Sequence, residues 1–394
     1  MNAFEEARAI EQEIIAWRRQ IHQHPEIGQN LPQTAALVRQ KLDEWGVEYR
    51  EVIPNAFMAY IGKKGGHSIL MRADMDALPM EEKTGLPFAS QCPGAMHSCG
   101  HDCHTSMLLT AAALLKKHEE ELQGQVILMF QPDEEGTDGT GARMMVENGL
   151  LDKYKPDVAV MAHMASDIVK TNQIMLKSGP CSASSDRFVV HLHGKGGHGA
   201  RPHQSINPIT CAIKIAEAFG DIGRYEVDVQ EPTALSICTF HSGTASNIIP
   251  EDCEFTGTLR TFNDEARQFT LDRMQQVAQS IADAYRCQLT FDRPRGIPPL
   301  INDPEFSQQL HTWLQETIGQ EGVDIPPISY TKSMGSEDFS FISSRVPSCS
   351  FSVGSTSHQE QVYPLHHPKI IFDEDGLAAG AAAYAQAAYS YLTK

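Results

Sequence analysis

Three short, nearly continuous apolar runs, Ser68-Ile69-Leu70-Met71-Arg72, Gln125-Val126-Ile127-Leu128-Met129-Phe130 and Pro156-Asp157-Val158-Ala159-Val160-Met161-Ala162, alternate with stretches of helical patterning. Such runs are hidden when helices cover both faces of a sheet, and in that architecture ligands bind at the carboxyl ends of the strands. Each run leads into chemistry-bearing side chains at that end. Asp74 and Asp76 follow the first, Asp133, Glu134 and Glu135 the second, and His163 the third. One acidic loop is ordinarily a solvated surface; recurrence at successive strand ends makes a site the better reading.

The surrounding pattern fixes the organisation. Apolar spacing predicts a helix over Phe4 to Gln23 and another over Thr34 to Trp45, then a strand from Glu48 to Ile53 and helices over Thr105 to Leu122 and Gly141 to Asn148. From residue 184 to 295 the order changes to strand (Arg187 to His193), helix (Pro208 to Phe219), two strands (Ala234 to His241, Cys253 to Phe262), helix (Asp264 to Tyr285) and strand (Gln288 to Asp292). That β-α-β-β-α-β order is the ferredoxin-like one. The first pattern then resumes with a helix over Phe306 to Ile318, a strand over Ser348 to Val353 and an alanine-rich helix over Ala378 to Ala388. The expected fold is α/β, with a discontinuous main domain (1–183 and 296–394) interrupted by an inserted α+β domain (184–295).

Composition narrows the partners. Of 394 residues, 50 are acidic and 32 basic, a net charge of −18 that repels nucleic acid and anionic membrane surfaces. Nine scattered cysteines do not make a disulfide framework. The first residues carry acids where a secretory signal needs a basic patch and an apolar run, and no window reaches a membrane span. A soluble cytoplasmic protein with reduced thiols is expected.

The densest chemistry is Met96-His97-Ser98-Cys99-Gly100-His101-Asp102-Cys103-His104. A single histidine or cysteine is usually a packing residue. A cluster of thiol and imidazole suits borderline-soft divalent metals, and Cys99 and His101, if extended, share one face. Cys99 and Cys103 are too far apart for a redox C-x-x-C, and there is no second compact pair for a structural zinc finger. Further ligands must come from distant segments. Hydrolysis at a metal site also needs a carboxylate to take a proton from water. Glu134 and Glu135, if extended, point to opposite sides and can divide the ligand and base tasks.

Taken together, the ordered motifs His22-Gln23-His24-Pro25-Glu26, R-A-D-M-D-A-L-P (72–79), M-H-S-C-G-H-D-C-H-T (96–105), F-Q-P-D-E-E-G (130–136), G-G-H-G-A-R-P-H (196–203), N-I-I-P (247–250), G-S-E-D-F (335–339) and L-H-H-P (365–368) resemble the bimetallic N-acyl-amino-acid amidohydrolases. That family includes hippurate hydrolases and indoleacetyl-amino-acid hydrolases and is related to metallo-aminoacylases and metal-dependent carboxypeptidases. The resemblance implies a three-layer zinc-aminopeptidase-like catalytic domain with an inserted ferredoxin-like lid that often dimerises. It implies two divalent ions, zinc first, with manganese, cobalt or nickel as alternatives. By the same resemblance Cys99, His101, Glu135, His163 and His366 are the metal ligands, with His366 chosen over His367 because the family's ligand stands two before the proline. Glu134 is the general base, Asp76 steadies the site, and Asp74 stands where wider relatives carry a ligand histidine. His198 reaches the substrate carbonyl or oxyanion, in its own or the partner subunit, while Asn247 and Arg260 are expected to bind the substrate carboxylate.

The implied activity is hydrolysis of an N-acyl amino acid to a carboxylic acid and a free amino acid. A dipeptidase or carboxypeptidase on the same site, and a metal-binding protein without turnover, are the rival readings. Gly194-Lys195-Gly196-Gly197-His198-Gly199 matches a dinucleotide fingerprint, but Pro202 and Pro208 delay the helix that should open at the third glycine, which disfavours a nucleotide. Met164-Ala165-Ser166 after His163 departs from the family's usual continuation, and Cys103 reads as a packing thiol.

Overall fold

The computed structural model describes residues 1–136, 140–319, 322–324, 332–356 and 361–393, and the chain divides into two compact units. Unit 1 comprises Met1–Cys181, Ile301–Thr331 and Asp338–Lys394; unit 2 comprises Ser182–Leu300 and Lys332–Glu337. The short return at Lys332–Glu337 is absent from the sequence reading because six residues carry no periodic pattern.

Unit 1 begins with α1 (Ala3–Ala9), α2 (Glu11–Gln23), α3 (Pro32–Glu44), β1 (Glu48–Ile53), β2 (Ala56–Gly62), β3 (Ser68–Asp74), α4 (His101–Lys117), β4 (Gln125–Gln131), α5 (Thr140–Glu147), α6 (Leu150–Tyr154), β5 (Val158–Ala165), β6 (Ile174–Leu176) and β7 (Gly179–Ser182). Unit 2 holds β8 (Asp186–His193), β9 (Gly197–His198), α7 (Pro208–Asp221), β10 (Thr233–Ser242), β11 (Ile248–Ile249), β12 (Asp252–Thr261), α8 (Asp264–Tyr285) and β13 (Gln288–Asp292). The chain returns through β14 (Leu300–Asn302), α9 (Pro304–Ile318), β15 (Val323–Asp324), α10 (Ser340–Ser343), β16 (Ser348–Gly354) and α11 (Leu377–Thr393). The single first helix expected from the pattern is two, because Ile10 leaves helical geometry at φ −115°, ψ 18°.

In unit 1 the eight-stranded sheet has the order β1-β2-β4-β3-β5-β16-β6-β15. Its centre, β4-β3-β5-β16, is parallel, so these four strands end along one edge. The apolar runs are fully covered, as expected of strands with helices on both faces: every residue of β3 is buried. Helix α4 is almost wholly buried, and α11 approaches it through small side chains. A Cβ on Gly380 would lie 2.1 Å from Met107 Sδ and 3.0 Å from Val353 Cγ2, so a larger residue there would have to displace both side chains.

Unit 2 is antiparallel in the order β10-β12-β8-β13. Phe188, Val190, Leu192 and Phe255 point to one face and are buried there with α7 and α8 residues. Arg267 on α8 anchors this layer through Asp186, with Nε 2.7 Å from Oδ2 and Nη2 2.8 Å from Oδ1. No described helix is long and apolar enough to cross a membrane.

Candidate metal centre

The loop from β3 reaches α4 through Cys99-Gly100-His101. Gly100 sits at φ +88°, and a Cβ on it would lie 3.0 Å from Met164 Cγ and 3.1 Å from Phe372 Cζ. Only glycine takes that turn without strain. Cys99 and His101 therefore do not share the face of an extended loop, as the spacing suggests; a left-handed turn ends the loop at Cys99 and opens the helix at His101. A second turn, with Asp133 at φ +58°, follows β4 and carries Glu134 and Glu135. These two are not extended either. Both reach toward His101 Nε2, each with a carboxylate oxygen at 3.9 Å.

His163 comes from β5 and His366 from the loop before α11, where φ is +62°. Cys99 Sγ lies 3.5 Å from His163 Nε2 and 3.4 Å from His366 Nε2, which in turn is 3.1 Å from Glu135 Oε1. Two three-donor groups result, Cys99–His101–His163 and Cys99–Glu135–His366, each with its donor atoms within 4.8 Å of one another. They meet at the cysteine. His367 is engaged elsewhere: its ring stacks on Tyr363 at 4.3 Å, and its Nδ1 accepts the Lys369 N–H at 3.1 Å.

Neighbouring groups fix how the donors point. His101 Nδ1–H donates to the Asp76 carbonyl at 2.8 Å and His163 Nδ1–H to the Met164 carbonyl at 2.8 Å, so both rings present Nε2 to the centre. The Asp76 carboxylate accepts the Glu134 N–H and the Glu135 N–H at 3.0 Å each. One aspartate thus steadies one imidazole and both glutamates. Asp74 is buried against Arg72 Nη1 at 2.7 Å and His104 Nδ1 at 2.6 Å. His104 Nε2 accepts the Met164 N–H at 2.8 Å, which makes Nδ1 the protonated nitrogen and ties Asp74 to the strand that carries His163.

The electrostatics favour cations. Burial pushes the Cys99 thiol well above its ordinary range, and the Glu135 carboxylate adds to this. Burial opposes charge on His101, but Asp74 and Cys99 hold its imidazole well above the usual value. Burial likewise opposes charge on Asp74, yet Arg72, His101 and His104 keep it ionised far below the carboxylate range. His101 Nε2 is buried with no hydrogen-bond partner among the described residues. An orphaned imidazole nitrogen facing a thiol and two carboxylates fits a divalent ion.

Residues 70–390 match the description Peptidase family M20/M25/M40. The chain belongs to that family. It is 37% identical over 395 residues to thermostable carboxypeptidase 1 of Saccharolobus solfataricus, covering 99% of this chain and 98% of that protein. It is 34% identical over 397 residues to the hippurate hydrolase of Campylobacter jejuni, covering 100% of both. Among solved structures, the YXEP protein of Bacillus subtilis, described as a dinuclear metal binding peptidase from the M20 family, aligns with a TM-score of 0.81 at 32% identity, covering 98% of this chain and 99% of that one. The fold is accordingly the M20 one, a three-layer α/β catalytic domain with an inserted ferredoxin-like domain.

Within unit 2, β9 and β11 pair Ile248 with His198, and the Gly199 N–H donates to the Asn247 carbonyl at 2.8 Å. His198 and Asn247 are thereby neighbours, both exposed. The Ala200 N–H donates to His198 Nδ1 at 3.1 Å, which puts the ring's donor N–H at Nε2. Arg260 is half-buried on β12, with Nη1 3.4 Å from the Ser184 carbonyl. The sequence reading missed the tie from Arg72 through Asp74 to His104. His104 stood in the motif as the third histidine, and its spacing of three from His101 on a helix was the available signal.

Proposed function

We propose that the chain is a metal-dependent amidohydrolase that cleaves the amide bond of N-acyl amino acids, releasing a carboxylic acid and a free amino acid. The observation that carries this reading is the pair of three-donor groups joined at Cys99, with the Glu134 carboxylate beside them, 3.9 Å from His101 Nε2 and close enough to His101 and Glu135 to form a donor group of its own. We assign Glu134 to proton transfer because Cys99, His101, Glu135, His163 and His366 already make up the two joined groups. Two divalent ions, zinc by donor chemistry and manganese, cobalt or nickel as alternatives, would polarise the acyl carbonyl and supply a nucleophilic water at neutral pH. Cys99, His101, Glu135, His163 and His366 hold them. Glu134 takes the proton of the attacking water and passes it to the leaving amine. Asp76 keeps both glutamates in register, which makes it a positioning residue. His198 Nε2–H donates to the developing oxyanion, and Asn247 and Arg260 bind the substrate carboxylate.

The names of the relatives support this chemistry. A hippurate hydrolase and a carboxypeptidase both free an amino acid that carries its own carboxylate. The carboxypeptidase relative at 37% identity favours a second reading, peptide substrates on the same site. A panel of acetyl, benzoyl, indoleacetyl and long-chain acyl amino acids, set beside dipeptides and assayed for amino-acid release after chelation and return of each metal, separates the two. Release from no substrate with any metal would overturn both and leave a metal-binding protein without turnover. Glu134→Gln is expected to keep its metal and lose turnover; full activity removes Glu134 as the base.

Strand β10 is an edge strand exposed along most of its length, with Ile237 and Phe240 partly open, which supports a homodimer through unit 2, readable by light scattering. Nine cysteines without a disulfide support a reducing, cytoplasmic setting.

A further inference from the structure

Along β8 the alternation that buries Phe188, Val190 and Leu192 turns His191 and His193 to the opposite face. Register on the neighbouring strands puts acids beside them. On β12, Asp252 stands opposite His193 and Glu254 opposite His191, and on β10 His241 stands opposite Glu254. Paired residues share a face of the sheet, so three imidazoles and two carboxylates stand together there. On the other side, β13 contributes only the uncharged Gln288 and Thr290 to the same two rows. None of these side chains has a part in the chemistry described above.

The geometry centres on one oxygen. Asp252 Oδ1 lies 2.8 Å from His193 Nδ1 and 3.7 Å from His191 Nε2. The three side chains are roughly half exposed, at 57% for Asp252, 47% for His193 and 41% for His191, so each can rotate without disturbing the core. As they stand, the three donors do not all lie within 4.8 Å of one another, so one imidazole must turn to share an ion with the other. Residues two apart on a strand are about 6.6 Å apart along it, which leaves that turn within reach of these exposed rings. Two imidazole nitrogens and a carboxylate, with a fourth position for water, are a donor set that borderline divalent ions accept.

We propose that His191, His193 and Asp252 form an ancillary binding site for a borderline divalent cation such as zinc or nickel on the open face of the unit 2 sheet, with Glu254 adding negative charge beside it. The cation takes the place of the proton now shared between His193 and Asp252. It ties β8 to β12 and stabilises the folded chain by mass action.

The test uses the full-length protein loaded at its unit 1 sites and freed of excess metal. Zinc is titrated calorimetrically, and bound ions are counted by native mass spectrometry. One further ion per chain is expected, with a rise in melting temperature. In His193→Ala and in His191→Ala that ion and the rise are lost, while amino-acid release is unchanged. The same further ion in both variants, or none in the parent, overturns the proposal. Because the count is independent of turnover, failure here and failure of the amidohydrolase reading are separable; Asp252→Asn, which keeps the side-chain shape, guards against a variant that misfolds.

Discussion

Asp76→Asn is the sharpest probe of how the centre is held. The Asp76 carboxylate receives two backbone N–H groups, from Glu134 and Glu135, at 3.0 Å each, and it is 1% exposed. An asparagine of the same shape keeps one acceptor oxygen and turns an NH2 toward the other N–H. One charge-assisted bond is lost, at about 1.5–3 kcal/mol, and one donor is left facing a donor. If that loss falls on the positions of the glutamates, 1.36 kcal/mol per tenfold converts it to roughly 10- to 150-fold in turnover. The His101 bond to the Asp76 carbonyl is kept, since it belongs to the backbone, but Asp76 Oδ1 also lies 3.4 Å from His101 Nδ1. Metal affinity should therefore fall through Glu135 first, with a smaller part through His101. The assay pairs amino-acid release with metal content after dialysis, on protein whose circular dichroism matches the parent. A variant with parental turnover and parental metal content would refute the assignment of Asp76 as the residue that aligns the two glutamates.

Other substitutions test separate parts of the structure. Gly100→Ala forces a side chain into a left-handed position, at about 1–2 kcal/mol, and presses on Met164 and Phe372, so both melting temperature and metal retention should drop. His366→Ala should release metal on dialysis while His367→Ala, whose ring stacks on Tyr363, retains it; the reverse outcome, read by elemental analysis, would transfer the ligand role. Arg267→Met leaves Asp186 buried without its partner and should cost about 3–5 kcal/mol in urea unfolding, with much of that recovered when Asp186→Leu is added.

What the sequence disclosed and what it withheld follow from distance along the chain. Strands β1 and β13 and helix α8 lie where periodicity put them, because alternation and helical spacing are local properties. Four of the five candidate ligands stand where the residues alone draw the eye, Cys99 and His101 in a dense motif and Glu135 and His163 after strands, while His366, in a loop, is marked only by the resemblance. Their directions were not legible. Extended geometry was the natural assumption for Cys99-Gly100-His101 and for Glu134-Glu135, and in both places one residue at positive φ, Gly100 or Asp133, turns the chain instead. Glycine at such a position is a visible signal; aspartate is a weak one, since it tolerates the left-handed region without requiring it.

The buried polar network shows the same limit from another side. Arg18 on α2 lies 2.7 Å from Asp102 on α4, and His22 Nδ1 lies 2.7 Å from the same carboxylate oxygen. Arg72 meanwhile binds Asp74 and, at 2.6 Å, Asp338. Asp102 and Asp74 are both fully buried, and each follows or faces a candidate ligand. Pairwise, such ions contribute little net stability, because desolvation offsets their attraction. Breaking one is costly, however, since the partner stays buried and unpaired. The arrangement therefore resists displacement more than it stabilises the fold. It pins the start of α4, where the candidate ligand His101 stands, and the end of β3, whose Asp74 faces it. Sequence pattern cannot reveal this, because Asp102 pairs with residues about eighty positions earlier and Asp338 with one more than two hundred and fifty positions earlier.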